Sequence, residues 1–383
     1  MDATDRISEL PGFISHLILS FLDRRSAATT SVLSKHWNSI WNSFPILQFD
    51  LFIPDIHHFC AEAKSKADAF VAAVDEAFRR RTRHNLRVQR LDLCVVYLNS
   101  SDSLVSRINQ WLDLALCNGA REILVSPYMW RFLHLSEKLF VARPVKRGLR
   151  PGFGSLVKLV LHYVCISESH VRNIVLNCPN VEVLELLYFS GLKALEISKL
   201  QRIEIVRLIS TNSELERIDI DAPSLKELNY WSYQRSKLNT ISLASCRDLT
   251  SLYLSQCVLT DDWLHSHLSR FPRLETLVIT DSPALQNVRV PAPRLRTLHL
   301  SECENVEVVE IDAPTLSSFE FSGLNSPVLL SENVPCPMTI VHNLHNAELT
   351  TPWFLNLRNN LRVSTDQRKI VFLYMFDDGV REE

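Results

Sequence analysis

Glycine is scarce in this chain, with 8 residues in 383 against 17 prolines. That scarcity excludes the collagen-like and low-complexity classes, and it leaves proline as the main punctuation. A run of 18 apolar residues is also missing, so no transmembrane helix is expected. The opening MDATDRISEL carries charge where a secretory leader would carry an apolar core. Charge of one sign is lacking too: 41 Lys and Arg against 43 Asp and Glu leave a net charge of −2. A broad basic field of the kind that attracts nucleic acid is therefore absent. Neither a membrane nor a nucleic acid is the expected partner.

Chemical motifs are thin as well. The nine cysteines are odd in number and never form C-x-x-C, which argues against a zinc site or a disulfide framework and for a reducing compartment. The closest histidine pairs, His57-His58 and His265/His267, do not converge on a helix and have no cysteine or acidic cluster to complete a ligand set. No G-x-S-x-G, P-loop or G-x-G-x-x-G is present. A non-catalytic chain without metal or cofactor is the expectation.

What is there begins with short helices. In LPGFISHLILSFL, Ile14, Leu17, Ile18, Phe21 and Leu22 follow helical spacing and make one apolar stripe. Pro11 suits a first turn, and Asp23 offers an N-cap to a second helix. In SVLSKHWNSIWNSFP, Leu33, Trp37, Ile40 and Trp41 share a face, and Pro45 stops the third helix. Three short helices cannot bury enough surface to be comfortable alone. On periodicity the two tryptophans fit a small core as well as a face that waits for a partner.

A helix over DAFVAAVDEAFRRRTR follows, with Phe70, Val74 and Phe78 four apart. Its terminal Arg79, Arg80, Arg81 and Arg83 complement the helix dipole, and the segment reads as a capped connector. From Val88 onward the unit apolar-x-x-apolar-x-apolar recurs. Between Leu274 and Leu316 its steps are 11, 10, 11 and 10 residues. Each unit closes on the period of a strand with one buried face, and DAPSLKELNY, PAPRLRTLHL and DAPTLSSFEF repeat one turn before it. Two steps of 25 residues, Leu156 to Val181 and Leu249 to Leu274, enclose the helical patterns SESHVRNIVLNCP and TDDWLHSHLSRFP. The expected fold is α+β: a small three-helix module, then a quasi-linear solenoid of narrow, strand-rich coils with a few helix-containing ones. KIVFLYMF reads as a late strand and DDGVREE as a frayed tail.

The ordered set DRISELP, ILSFL and SVLSKHWNSIW, followed by SLVKLVLHYVCI and LNCPNVEVLEL, closely resembles the plant F-box/leucine-rich-repeat family. The resemblance implies residues 1–50 as an F-box, 51–85 as a helical linker or cap, 86–345 as a leucine-rich-repeat solenoid and 346–383 as a C-terminal cap and tail. It further implies docking on a Skp-type adaptor and, through it, on the cullin scaffold of a ubiquitin ligase of the SCF type. The chain would then be a substrate receptor in the cytoplasm or nucleus. Carried over residue by residue, the adaptor-facing positions are Leu10, Pro11, Ile14, Ile18 and Leu22, with Val32, Leu33, Ser34, Lys35 and Trp37. Gly12-Phe13 departs from the family, which has an acidic pair after Leu-Pro. Family members often carry a further domain after the repeats; with residues 346–383 remaining, that domain is expected to be absent or truncated. On the solenoid the target is unidentified, and Tyr230, Trp231 and Tyr233 in NYWSY are the candidate target face. The competing reading is a leucine-rich interaction scaffold with no coupling to a ubiquitin ligase.

Overall fold

A computed structural model describes residues 10–53, 61–97, 102–128, 132–141, 153–212, 214–234, 236–323, 327–331, 338–343, 351, 354–355, 357–358 and 368–373. His57-His58 and the tail at 377–383 lie outside them. The chain divides into two compact units, residues 1–165 with 176–181, and residues 166–175 with 182–383.

The first unit opens with α1 (Gly12–Ser20), α2 (Arg24–Thr30) and α3 (Lys35–Ser43). Side-chain caps fix the starts of α2, as the sequence predicts for Asp23, and of α3. The Asp23 carboxylate accepts the Ser26 N–H at 3.0 Å, and the Ser34 hydroxyl accepts the Trp37 N–H at 3.2 Å. Beyond them run β1 (Ile46–Ile53), α4 (Ala61–His84), β2 (Arg90–Tyr97), α5 (Asp102–Cys117), β3 (Glu122–Tyr128), β4 (Leu133–His134), β5 (Lys158–His162) and β6 (Val164–Cys165). Strands β1, β2, β3 and β5 lie parallel, with Leu47, Leu91, Ile123 and Leu159 in register and buried.

Two readings of this segment are corrected. The helix carrying Phe70, Val74 and Phe78 is not a connector: α4 is the crossover of the first coil and packs on β1, with the Phe49 and Phe70 rings 6.4 Å apart. Parallel neighbours require such a crossover, so the strand row starts at Ile46, inside the sequence assigned to the helical module. A further helix, α5, closes the second coil through buried Leu104, Ile108, Trp111 and Leu112. Trp111 donates its indole N–H to Asp75 on α4 at 2.7 Å.

The second unit is built of narrow coils. After α6 (Glu168–Asn177) come β7 (Val183–Phe189), β8 (Ala194–Ser198), β9 (Ile205–Ser210), β10 (Arg217–Asp221), β11 (Glu227–Ser232), β12 (Thr240–Ser242), β13 (Ser251–Ser255) and α7 (Asp261–Leu268). Then follow β14 (Thr276–Thr280), β15 (Asn287–Pro291), β16 (Thr297–Ser301), β17 (Val308–Asp312), β18 (Ser318–Gly323), β19 (Val328–Ser331), β20 (Met338–Asn343) and β21 (Arg368–Leu373). The long row β7-β9-β11-β13-β14-β16-β18-β20-β21 is parallel throughout, and shorter rows β8-β10-β12 and β15-β17-β19 form the other side of the coils. Pro291 ends β15, the edge strand of its row, where a missing N–H costs no ladder bond.

Both helical interruptions appear where the 25-residue steps place them. Thr260 caps α7 by accepting the Trp263 N–H, and the adjoining Asp261 carboxylate accepts the Gln286 and Asn287 N–H groups, each at 2.9 Å. Glu168 does the same for α6, accepting Lys193 N–H at 2.8 Å. Burial alone would raise the Glu168 carboxyl, but backbone donors, including Lys193 and Ala194, hold it below its ordinary value. One acid per helix thus pins the next coil's second strand. The first five residues of KIVFLYMF fall in β21, paired in register with β20, and the last three lie outside the described residues.

Candidate docking surfaces

The three-helix module has a small core of Leu19, Ala27, Trp37, Ile40 and Phe44, with Trp41 and Ile46 against it. Helix α1 reaches that core through Ser15 and Leu19. Its apolar stripe is consequently turned the other way, towards solvent. Phe13 is 71%, Leu17 52% and Phe21 81% exposed, and in the turn after α2 Val32 and Leu33 are 83% and 69% exposed. Ile18 and Leu22 are exposed as well. A monomer gains nothing from leaving so many large apolar groups in water, since each would contribute about 1.5–3 kcal/mol if fully buried.

Among the positions carried over as adaptor-facing, Pro11, Ile18, Leu22, Val32, Leu33 and Lys35 are exposed, and Leu10, Ile14 and Ser34 are half-buried. Trp37 is a correction. At 6% exposure it fills the core, because the face it shares with Ile40 points inward. Phe13, Leu17 and Phe21 were missed as a surface. The stripe spacing that makes Leu17 and Phe21 look like core is the same spacing that makes a docking face.

The arginines at the end of α4 have a structural task. Arg81 is buried and donates to the Phe44 carbonyl at the end of α3, while Arg80 donates to Asn42 on the same helix. Burial, with the Arg80 charge beside it, lowers the Arg81 guanidinium to about 10. Nearby, His16 on α1 meets the Ser43 hydroxyl at 3.1 Å.

In the second unit the strand row offers an open face. Strand alternation turns Tyr230 inward, where it is 1% exposed and its hydroxyl meets Ser236, so Tyr230 drops out of the candidate target face. Trp231 and Tyr233 remain accessible, with ring centroids 4.3 Å apart, and Tyr188 lies 5.7 Å from Tyr233. On the neighbouring positions Arg207 is held between Glu185 at 3.0 Å and Glu227 at 2.7 Å. Directly after strands β13, β14 and β16, Gln256, Asp281 and Glu302 adopt left-handed backbone with φ of 55°, 49° and 55°. That conformation costs a non-glycine residue about 1–2 kcal/mol. It is compensated by N–H bonds to the next coil, at 2.8, 2.8 and 2.7 Å.

Three buried cysteines are poor nucleophiles in this setting. Burial pushes the Cys178 thiol up to about 12 and the Cys246 and Cys303 thiols up to about 11. Among the described residues no group of three His, Cys, Asp or Glu could hold a metal ion, and no helix is long and apolar enough to cross a membrane.

A helical module with its apolar side turned out, followed by coils of in-register parallel strands, defines a leucine-rich-repeat protein headed by a three-helix module. Residues 7–49 match the F-box domain model, and residues 79–242 and 238–361 match that of the At1g61320/AtMIF1 LRR domain. The chain belongs to the F-box/leucine-rich-repeat family. In Arabidopsis thaliana it is similar to At3g18150, of the F-box/LRR-repeat kind, at 27% identity over 67% of this chain and 53% of the relative. At4g03220, of the F-box/FBD/LRR-repeat kind, is 30% identical over 67% of this chain and 53% of its own. F-box/LRR-repeat protein At3g03360 is 26% identical over 59% and 47% respectively. The chain spans about half the length of these curated relatives.

Proposed function

We propose that this chain is the substrate-recognition subunit of an SCF-type ubiquitin ligase. Its F-box helices dock on a Skp-type adaptor, the adaptor joins a cullin scaffold, and the strand row of the repeats holds a target protein. The chain itself transfers nothing; it raises the effective concentration of the target near the ubiquitin-conjugating enzyme. Cytoplasm or nucleus is the setting that such an assembly requires. The observation that carries this reading is the outward apolar stripe of α1, together with Val32 and Leu33, on a module whose core is complete without them.

Calorimetric titration of the full-length chain with a purified Skp-type adaptor tests it. Binding at roughly micromolar or tighter is expected. Phe21→Ala and Leu33→Ala should each weaken binding by about tenfold or more while leaving the melting temperature unchanged. A folded chain that fails to bind the adaptor sinks the reading.

One observation favours a second reading, an interaction scaffold uncoupled from the ligase. The first turn of α1 holds no acid, since Gly12 and Phe13 stand there. A carboxylate near a helix N-terminus contributes about 0.3–1 kcal/mol when exposed, and the apolar stripe offers several times that. The same titration decides between the two.

A further inference from the structure

The open face of the long row changes character along its length. Across β7, β9 and β11 one line of outward positions is Leu187, Ile209 and Trp231, in register and half-buried. Tyr230 pairs with Leu254, so the same line continues in step onto Ser255 of β13, then Thr280 and Ser301. An aromatic and aliphatic ledge thus gives way to a floor of small hydroxyls. Ser255 is buried, its hydroxyl closed off from solvent, so the accessible part of the floor is Thr280 and Ser301.

Charge changes along the same direction. Beside the ledge, the Arg207 charge is engaged by Glu185 and Glu227. At the end of the floor, directly after Thr280 and Ser301, Asp281 and Glu302 have no Lys or Arg partner among the described residues, and Glu320 meets His299 at 3.6 Å. Both Asp281 and Glu302 are held at the end of their strands by the left-handed turns already described. The uncompensated carboxylates repel phosphate and favour a cation.

We propose that this face binds an extended peptide segment of the target that carries a bulky apolar residue and, about four residues away, a Lys or Arg. The apolar residue sits against Trp231 and Tyr233, the peptide backbone crosses the floor over Thr280 and Ser301, and the cation meets Asp281 and Glu302. The spacing follows from the row. Three strand steps separate β11 from β16, roughly 14 Å at the usual strand separation, which an extended chain covers in about four residues. The proposal rests on the target-receptor reading and gives that target its chemistry.

Selection of short random peptides displayed on phage against the full-length chain, with fluorescence anisotropy of the enriched sequences, tests it. Enrichment of Lys or Arg about four positions from an apolar residue is expected, with binding that weakens as salt is raised. Trp231→Ala and the pair Asp281→Asn/Glu302→Gln should each lower affinity by about tenfold, and the conservative pair should leave the melting temperature unchanged. Selection of acidic peptides, no enrichment above background, or affinity retained in both variants would overturn it. Adaptor titration of the same preparations reads the other end of the chain. A peptide failure with intact adaptor binding therefore sinks this proposal alone, and the converse sinks the receptor reading.

Discussion

The leucines of the strand row and the apolar residues of α1 obey opposite rules. Leu208, Leu228, Leu252, Leu277 and Leu298 are buried without remainder, whereas Phe13, Leu17 and Phe21 stand in water. Hydrophobicity does not separate the two groups; supply of neighbours does. A coil meets another coil on each side, so every inward side chain is covered by the next repeat. Helix α1 packs on α3 through one narrow face, and among the described residues the other face stays exposed. Apolar exposure on α1 therefore reflects a missing neighbour rather than a different side-chain chemistry.

The contrast is open to attack at three points. The largest effect should come from truncating each kind of residue in turn. Leu277→Ala removes a fully buried side chain and should cost about 2–5 kcal/mol in urea unfolding, while Leu33→Ala should change stability by less than about 0.5 kcal/mol. Equal costs would mean that the turn after α2 is core after all. An intermediate effect is expected where the two regions use the same device. Ser34→Ala in the helical module and Thr260→Ala in the repeats each delete an N-cap, and each should cost about 1 kcal/mol, read from the shift of thermal midpoint. A cap that matters in one region only would show that the module is held by something other than its own helices.

The smallest effect is a pH dependence. Burial lowers the His16 imidazole below its ordinary value; a backbone contact with Ile40 opposes this, and the Arg81 charge adds to it. The unfolded chain then takes up the proton first, so the contribution of neutral His16 is present above about pH 6.5 and is lost as pH falls below it. Melting of the N-terminal module should drop between about pH 7.5 and about pH 5.5, and His16→Gln should flatten that drop.

Much of the repeat was legible because its pattern is periodic and nearly every apolar position is buried. Leu274 to Leu316 mark inward positions, and the two 25-residue steps hold α6 and α7. The first coils were harder to read. Strand β1, ILQFDLFI, alternates as a strand should, but it directly follows the helical module and was absorbed into it. Helices α4 and α5 are long crossovers, so the repeat there has no short step to count. On the candidate target face, strand alternation in ELNYWS already separates Tyr230 from Trp231 once Leu228 is taken as inward. The outward turn of the α1 stripe could not be read in that way. A helix period shows that a stripe exists, and only the packing partner tells which way it faces.

The Arg81 clasp has a mechanical consequence. A docking module on a flexible tether samples a volume set by linker length, and anything it carries is diluted through that volume. Here the last carbonyl of α3 is gripped by a buried guanidinium from the first crossover helix, with Arg80 and Asn42 as a second grip. The joint has two fasteners and behaves as a bracket, not a leash. Whatever seizes α1 also fixes the orientation of the first coil, so a partner bound there would turn it as a handle turns a key.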